Sequence, residues 1–325
     1  MTVAMVTGIG AIMGYGLLKS LRRAEPDITL IGTDIYNDGA GRAWCDAFEQ
    51  APLTSSPEYS DWLIQTLEKH HVDILIPGIE QDVHWLSDHQ QQLSHLKCKI
   101  VLNNANLINL SRDKWGMHEE LKALNDACRI PSSLTGTFES LSDLFGLPFL
   151  LKPRRSYASK GLVWVKKAED FEPNAKRMGE HLIAQPIVGS ADQEFTVAVF
   201  GDGTGNVCAS ITFQRSLAAD GSTAKAWVRN DESLDQTVAR LCKHFKPIGP
   251  TNLQFRRDEN LGWKLLEINP RISSTSSMRT AFGYNEAAMC LEFYLKKRVP
   301  VQPPIRKGFA VRYIEDHIVY DRDHF

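Results

Sequence analysis

The chain has 325 residues, with 37 Lys and Arg against 39 Asp and Glu and a formal net charge of −2. That length suits about two domains with a full apolar core, and 43% hydrophobic with 23% charged residues excludes wholesale disorder. The near-neutral balance argues against a general nucleic-acid or anionic-membrane binder, which needs a strong basic excess; only a local basic loop stays compatible.

Six cysteines, at positions 45, 98, 128, 208, 242 and 290, form no CxxC pair and are too scattered for a disulfide framework. They read as buried thiols of a reducing, cytoplasmic, soluble protein. The uncharged stretch Thr2–Leu18 lacks a basic leader and is broken by Gly8, Gly10, Gly14 and Gly16. It therefore suits a strand, tight turn and helix better than a signal peptide or membrane span.

In chain order, Val3 to Thr7 reads as a buried strand, Gly8 to Gly14 as a turn and Tyr15 to Arg23 as a helix. Ile28 to Gly32 is a second strand ending at Asp34, Asp61 to His70 a helix, and Ile74 to Ile76 a strand closed by Pro77-Gly78. Such alternation implies a parallel sheet with helices on both faces, an α/β Rossmann-like domain over residues 1–110. The glycine turn with Asp34 also admits a dinucleotide-binding reading and NAD(P) oxidoreductase activity, although Met13 stands where a third glycine belongs.

Near Leu110 the character changes. Ser111 to Lys114 begins a helical stretch with an N-cap candidate, and Phe149 to Pro153 and Leu162 to Val165 are strands joined by a basic loop of small residues. His181–Ile187, Glu194–Phe200 and Val207–Phe213 read as further strands, and Ser233–His244 as a helix, giving antiparallel sheet plus helices.

Two late strands, Thr251–Phe255 and Lys264–Asn269, flank a turn at Glu259–Gly262. Opposing Leu253 to Ile268 and Phe255 to Leu266 sets Gln254 against Glu267 and Asn252 against Asn269, because side chains alternate faces. One face is then core, and the other gathers one carboxylate and three carboxamides. Oxygen donors of this kind suit Mg²⁺ or Mn²⁺, hard cations that keep waters and share nucleotide phosphate oxygens. Arg271 follows at once, where a terminal phosphate would lie. Earlier, Ser156, Ala158, Ser159 and Gly161 let backbone N–H groups approach an anion, while Lys152, Arg154, Arg155 and Lys160 add charge. Together these halves favour a triphosphate.

Taken in order, Lys152 with its Ser/Gly loop, Ile183–Gly189, Glu194, Asn252-Leu253-Gln254 and Glu267-Ile268-Asn269-Pro270-Arg271 resemble the ATP-grasp superfamily. Within it the chain is most similar to the group around the large subunit of carbamoyl-phosphate synthase. The resemblance implies a pre-ATP-grasp Rossmann-like domain (1–110), a small lid subdomain with its linking helices (111–187) and a C-terminal subdomain with the metal site (188–325). It implies ATP between two antiparallel sheets, with Lys114 and Lys152 on phosphates and the Ser156–Gly161 loop closing over them. Gln185, Pro186 and Ile187 would form the adenine hinge, Glu194 would hold the ribose, and Gln254, Glu267 and Asn269 would bind Mg²⁺ or Mn²⁺. Arg271 would stabilise the phosphate in flight.

The reaction so implied joins a small-molecule carboxylate to an amine or similar nucleophile through an acyl phosphate, in a protein compatible with a homodimer. Carbamoyl-phosphate synthases carry a second arginine soon after Asn-Pro-Arg, whereas here Ile272–Ser277 intervenes and Arg279 comes later. Phosphorylation of bicarbonate or carbamate therefore fits less well than a larger organic carboxylate, yet stands as an alternative. Arg215 and Lys225, in the polar segment Gln214–Trp227, either grip an acceptor carboxylate or phosphate or belong to a surface loop. Glu80 and Asp82 sit at a crevice edge, suited to an amine or to helix N-terminal charge. His70-His71 and the acidic, His-bearing tail from Glu315 to His324 read as solvated.

Overall fold

The computed structural model describes residues 1–155, 161–318 and 320. The uncharged opening becomes β1 (Val3–Thr7), almost wholly buried, as a central parallel strand must be. It is followed by α1 (Ile12–Ala24), β2 (Thr29–Asp34), β3 (Ala47–Gln50), α2 (Tyr59–Lys69), β4 (Ile74–Ile76), α3 (Glu80–Asp88), α4 (Gln90–Leu93) and β5 (Lys99–Ile100). The five strands pair in parallel in the order β3-β2-β1-β4-β5. Winding runs outward from β1 through β2 to β3, then resumes on the other side at β4. The strand order thus reverses at the C-terminal ends of β1 and β4.

The glycine turn is accounted for by packing. Gly8 adopts φ +60° and a Cβ there would lie 2.5 Å from the Ile79 side chain, while one on Gly14 would meet the Gly8 carbonyl oxygen at 2.2 Å. Strand and helix could not approach so closely with larger residues. The Gly10 amide donates to Asp34 Oδ2 at 2.8 Å, so the turn is tied to the end of β2 from within.

The next residues form α5 (Ala105–Ser111), α6 (Lys114–Ala123) and α7 (Phe138–Phe145). Asp113 caps α6, its side chain accepting from the Trp115 amide. An antiparallel sheet of order β7-β6-β8 follows, built from β6 (Phe149–Pro153), β7 (Val163–Val165) and β8 (Leu182–Pro186), with α8 (Ala168–Phe171) between β7 and β8. The remaining chain supplies β9 (Glu194–Asp202), β10 (Val207–Leu217), β11 (Thr223–Arg229), α9 (Glu232–Phe245), β12 (Ile248–Asp258), β13 (Gly262–Asn269), α10 (Ser276–Ala281), α11 (Glu286–Cys290) and β14 (Phe309–Val311). These strands form one antiparallel sheet of order β13-β12-β9-β10-β11-β14.

β9 runs through the middle of that sheet. Val197 and Val199 face one core with Leu234, Val238 and Leu241 of α9, whereas Ala198 and Phe200 share another with Leu17 and Leu18 of α1. Helix α1 is therefore covered by both the parallel sheet and the six-stranded sheet, which fixes their relative placement. Among the described residues no helix is long and apolar enough to cross a membrane.

Two expectations are corrected. The register of β12 on β13 pairs Asn252 with Asn269, Leu253 with Ile268 and Gln254 with Glu267, but a bulge then sets Phe255 opposite Leu265 instead of Leu266. The extra residue turns Leu266 toward the cleft, as bulges do beside sites. Second, much of the polar segment Gln214–Trp227 is not a loop but the ends of β10 and β11, flanking the turn that contains Gly221.

Asn252 is also diverted. It lies 1% exposed, its Oδ1 accepting from Thr196 at 2.6 Å and from the Arg279 guanidinium. Arg279 is fully buried and pairs with the equally buried Glu286 at 3.3 Å. Removing one partner of such a pair leaves an uncompensated buried charge, worth about 3–5 kcal/mol. Arg279→Met should lower unfolding stability by about that amount in urea titrations followed by tryptophan fluorescence. A loss below about 1 kcal/mol would contradict this account of the pair.

Candidate active site

A cavity of about 510 Å³ opens where the three sheets meet. One end is apolar: Leu150 of β6, Leu162, Trp164 of β7, Pro186 of β8, Val188 and Leu266 form a slot of the kind that takes a flat ring. The other end is charged and draws on both antiparallel sheets. Lys152 comes from β6, Glu194 from β9, Arg215 from β10, Gln254 and Arg256 from β12, and Glu267 and Asn269 from β13. Lys114 opens α6, Glu80 opens α3, and Arg271 follows β13.

Ion pairs hold this end together. Glu194, 3% exposed, receives Arg215 at 2.8 Å and Arg256 at 3.0 Å. Arg215 also donates to the Gln254 amide oxygen. Arg271 reaches Glu80 across the domain boundary at 2.6 Å and donates more weakly to Asn269 Oδ1 at 3.3 Å. Asn269 in turn donates to Glu267 at 2.8 Å. Burial pulls Lys152 down to about 8, helped by the nearby charges of Lys114 and Arg256. Burial likewise lowers Lys114, against the opposing pull of Glu267 and Glu80.

Most of the expected residues converge here. Lys114, Lys152, Pro186, Glu194, Arg215, Gln254, Glu267, Asn269 and Arg271 all line the one cavity. Gln185 is not among the lining residues, and its side chain donates to the Ser132 hydroxyl at 2.8 Å. Ile187 and Gly161 are not among the lining residues, and Gly161 adopts φ +76°. Ser156 and Ser159 lie outside the described residues, as do Ala158 and Lys160. Arg154 pairs with the Asp113 carboxylate at 2.5 Å, and the largely exposed Arg155 reaches the same carboxylate at 3.5 Å. Lys225 is exposed on β11 away from the cleft. Arg256 was absent from the expectations, although its place two residues after Gln254 puts it on the same strand face.

Among the described residues no group of three or more His, Cys, Asp or Glu could hold a metal. The donor set is instead one carboxylate, Glu267, with the Asn269 and Gln254 amide oxygens. That set fits a hard cation only if phosphate and water complete its shell. Cysteine and histidine are missing from it, which disfavours zinc.

A small and a large antiparallel sheet close on a cleft with two lysines, a Glu-x-Asn pair and a following arginine, the arrangement that the ATP-grasp resemblance implies. Residues 180–317 match the family described as ATP-grasp in the biosynthetic pathway with Ter operon, and residues 6–101 match the PylC-like N-terminal domain. The chain therefore carries an ATP-grasp fold behind a PylC-like N-terminal domain. No curated protein matches the sequence. Among solved structures, N5-carboxyaminoimidazole synthetase from Staphylococcus aureus complexed with ADP has a TM-score of 0.73 at 17% identity, covering 94% of this chain and 80% of its own. Biotin carboxylase from Campylobacter jejuni in complex with β-γ-ATP has a TM-score of 0.72 at 17% identity, with 94% and 74% covered. The biotin carboxylase domain of 2-oxoglutarate carboxylase from Hydrogenobacter thermophilus, with MgADP and bicarbonate, has 0.70 at 15%, with 95% and 73% covered.

A lysine whose folded value is depressed binds its proton less tightly than in the unfolded chain. Its cost is full below about pH 8 and is relieved as pH rises toward the unfolded value. Without nucleotide, Lys152→Met should melt above wild type at about pH 7, and the gap should shrink between about pH 8 and 10. Scanning fluorimetry across that range reads the difference, and a gap that widens with pH would refute the assignment.

Proposed function

We propose that the protein is an ATP- and Mg²⁺-dependent ligase that joins a carboxylate to an amine through an acyl phosphate. The observation that carries this is the gathering of Lys114, Lys152, Glu267, Asn269 and Arg271 at one end of a cleft whose other end is an apolar slot. The adenine lies in the slot, against the Gln185 carbonyl and the Ile187 amide, since Pro186 has no N–H to give. A ribose hydroxyl at Glu194 shares carboxylate oxygens already engaged by Arg215 and Arg256. Lys114 and Lys152 take phosphate oxygens.

Glu267, Asn269 and Gln254 would hold the divalent cation, which would supply positive charge that lowers the repulsion between the nucleotide phosphates and an anionic nucleophile. The substrate carboxylate attacks the γ-phosphorus, and ADP leaves with the bridging oxygen. The amine nitrogen then attacks the acyl carbon, loses a proton and expels phosphate. This chain's part is positioning and charge neutralisation, with Arg271 on the transferring group. Beyond Arg271 the wall is made by Ser273 and Ser274, small hydroxyls that leave room for an organic carboxylate. Arg279, the nearest later arginine, is committed to Glu286, which speaks against a bicarbonate site of the carbamoyl-phosphate synthase kind. The free thiols suit a cytoplasmic setting, and Mn²⁺ substitution and a homodimer accord with the same reading.

Glu267→Ala should lower ligand-stimulated ADP release by at least about 10²-fold, the loss typical of one preorganised electrostatic group. In parallel, MgATP at about 100 times its Kd should stabilise wild type by about 2.7 kcal/mol, and EDTA should reduce that shift. Unchanged activity in Glu267→Ala would remove the metal assignment. A thermal shift with NADH or NADPH alone would remove the ligase reading.

A further inference from the structure

A second cavity, of about 440 Å³, adjoins the cleft and shares Ala11, Ile79 and Gln81 with it as a common wall. It sits over the C-terminal ends of β1, β2, β3 and β4, where the strand order reverses. Open α/β sheets bind ligands at that reversal. Its charge is opposite in sign to the cleft. Asp34, Asp38 and Asp82 line it, with no Lys, Arg or His among the described lining residues.

The aspartates on its floor are fixed. Asp82, 4% exposed, accepts from the Tyr59 hydroxyl at 3.1 Å, and Asp34 accepts from the Gly10 and Tyr36 amides at 2.8 and 3.1 Å. Burial raises Asp82 to about 6, so a paired cation would restore what desolvation takes from its charged form. The mouth is apolar: Ile35, Tyr36 and Leu53 line it and are exposed to water. Three acids with no base among the described lining residues repel phosphates and carboxylates here.

Resting on the ligase reading, we propose that this chamber receives the amine substrate, a cationic amine carrying an apolar arm. The amine group meets Asp82 and Asp34 on the floor, and the arm lies against Ile35, Tyr36 and Leu53. The two cavities then sort the reactants by charge. Nucleotide and carboxylate enter the cationic cleft, and the amine waits across the Ala11–Ile79–Gln81 wall.

Three probes with one phenyl arm test this: 2-phenylethylamine, 2-phenylethanol and 3-phenylpropionate, titrated calorimetrically into the whole chain alongside MgATP. The amine should bind at least about tenfold more tightly than the alcohol, and the carboxylate should not bind, since a charged hydrogen bond carries that much. Asp82→Asn should weaken the amine at least about tenfold with MgATP affinity unchanged. Leu53→Lys, at an exposed mouth position that tolerates substitution, should also weaken it. The proposal falls if the carboxylate binds as tightly as the amine, or if neither variant weakens the amine. It also falls if wild type takes up MgATP but no amine up to about 10 mM. Amine binding without MgATP binding would keep the chamber and overturn the ligase reading.

Discussion

Five cationic side chains have to be held in one partly dry cleft, and the rest of the architecture answers that requirement. Among the described residues, Lys114, Lys152, Arg215, Arg256 and Arg271 face Glu80, Glu194, Glu267 and Asp220 around the cavity. Water cannot screen them fully there, so each cation needs a carboxylate close by or an anion still to come. Glu194 takes two arginines at once because β9 lies between β10 and β12, which places Arg215 and Arg256 on either side of it. The central position of one strand thus sets the electrostatics of the site. Burial lowers the affinity of Lys114 and Lys152 for protons, against the pull of Glu267 in the same cleft.

The apolar frame serves the same end. Because α1 is buried between two sheets, Glu80 is carried to Arg271, and the cleft is lined from three directions without a long loop. Four neighbouring strands of the six-stranded sheet, β10, β9, β12 and β13, each contribute one or two polar groups to the cleft. The arrangement explains how a chain of nearly neutral composition contains a locally basic site and, beside it, a locally acidic one.

Where pattern is local, the sequence discloses it. The pairing of Gln254 with Glu267 and of Asn252 with Asn269 follows from alternation and a short turn, because register slips would bury polar side chains. The parallel strands and the glycine turn follow from short apolar runs for the same reason. What escapes is decided by distant partners. Asn252 has the right face for the cluster but is claimed by Arg279, which comes 27 residues later. Arg154 and Arg155 belong to Asp113, which comes 41 and 42 residues earlier. The bulge at Leu266 depends on how β13 meets the slot, and β11 is too polar to stand out before its neighbours β10 and β14 pair with it. The second cavity takes Gly10 and Asp34 from the legible glycine turn, but its apolar mouth at Ile35, Tyr36 and Leu53 is assembled from separate strand ends and has no motif.

The Arg271–Glu80 contact carries a thermodynamic consequence. An anion arriving at Arg271 competes with Glu80 for the same guanidinium, so part of its binding free energy goes into loosening the parallel sheet's hold on the larger one. Glu80 lies between Ile79 and Gln81 of the wall shared by the two cavities, and whatever repositions that wall changes both occupancies. Linkage makes the effect mutual: a ligand that draws Glu80 away from Arg271 readies the guanidinium for phosphate by the same factor that phosphate readies Glu80 for the ligand. One salt bridge at the seam thereby acts as an exchange point, in which order of arrival is a matter of rate while the coupling itself has no direction.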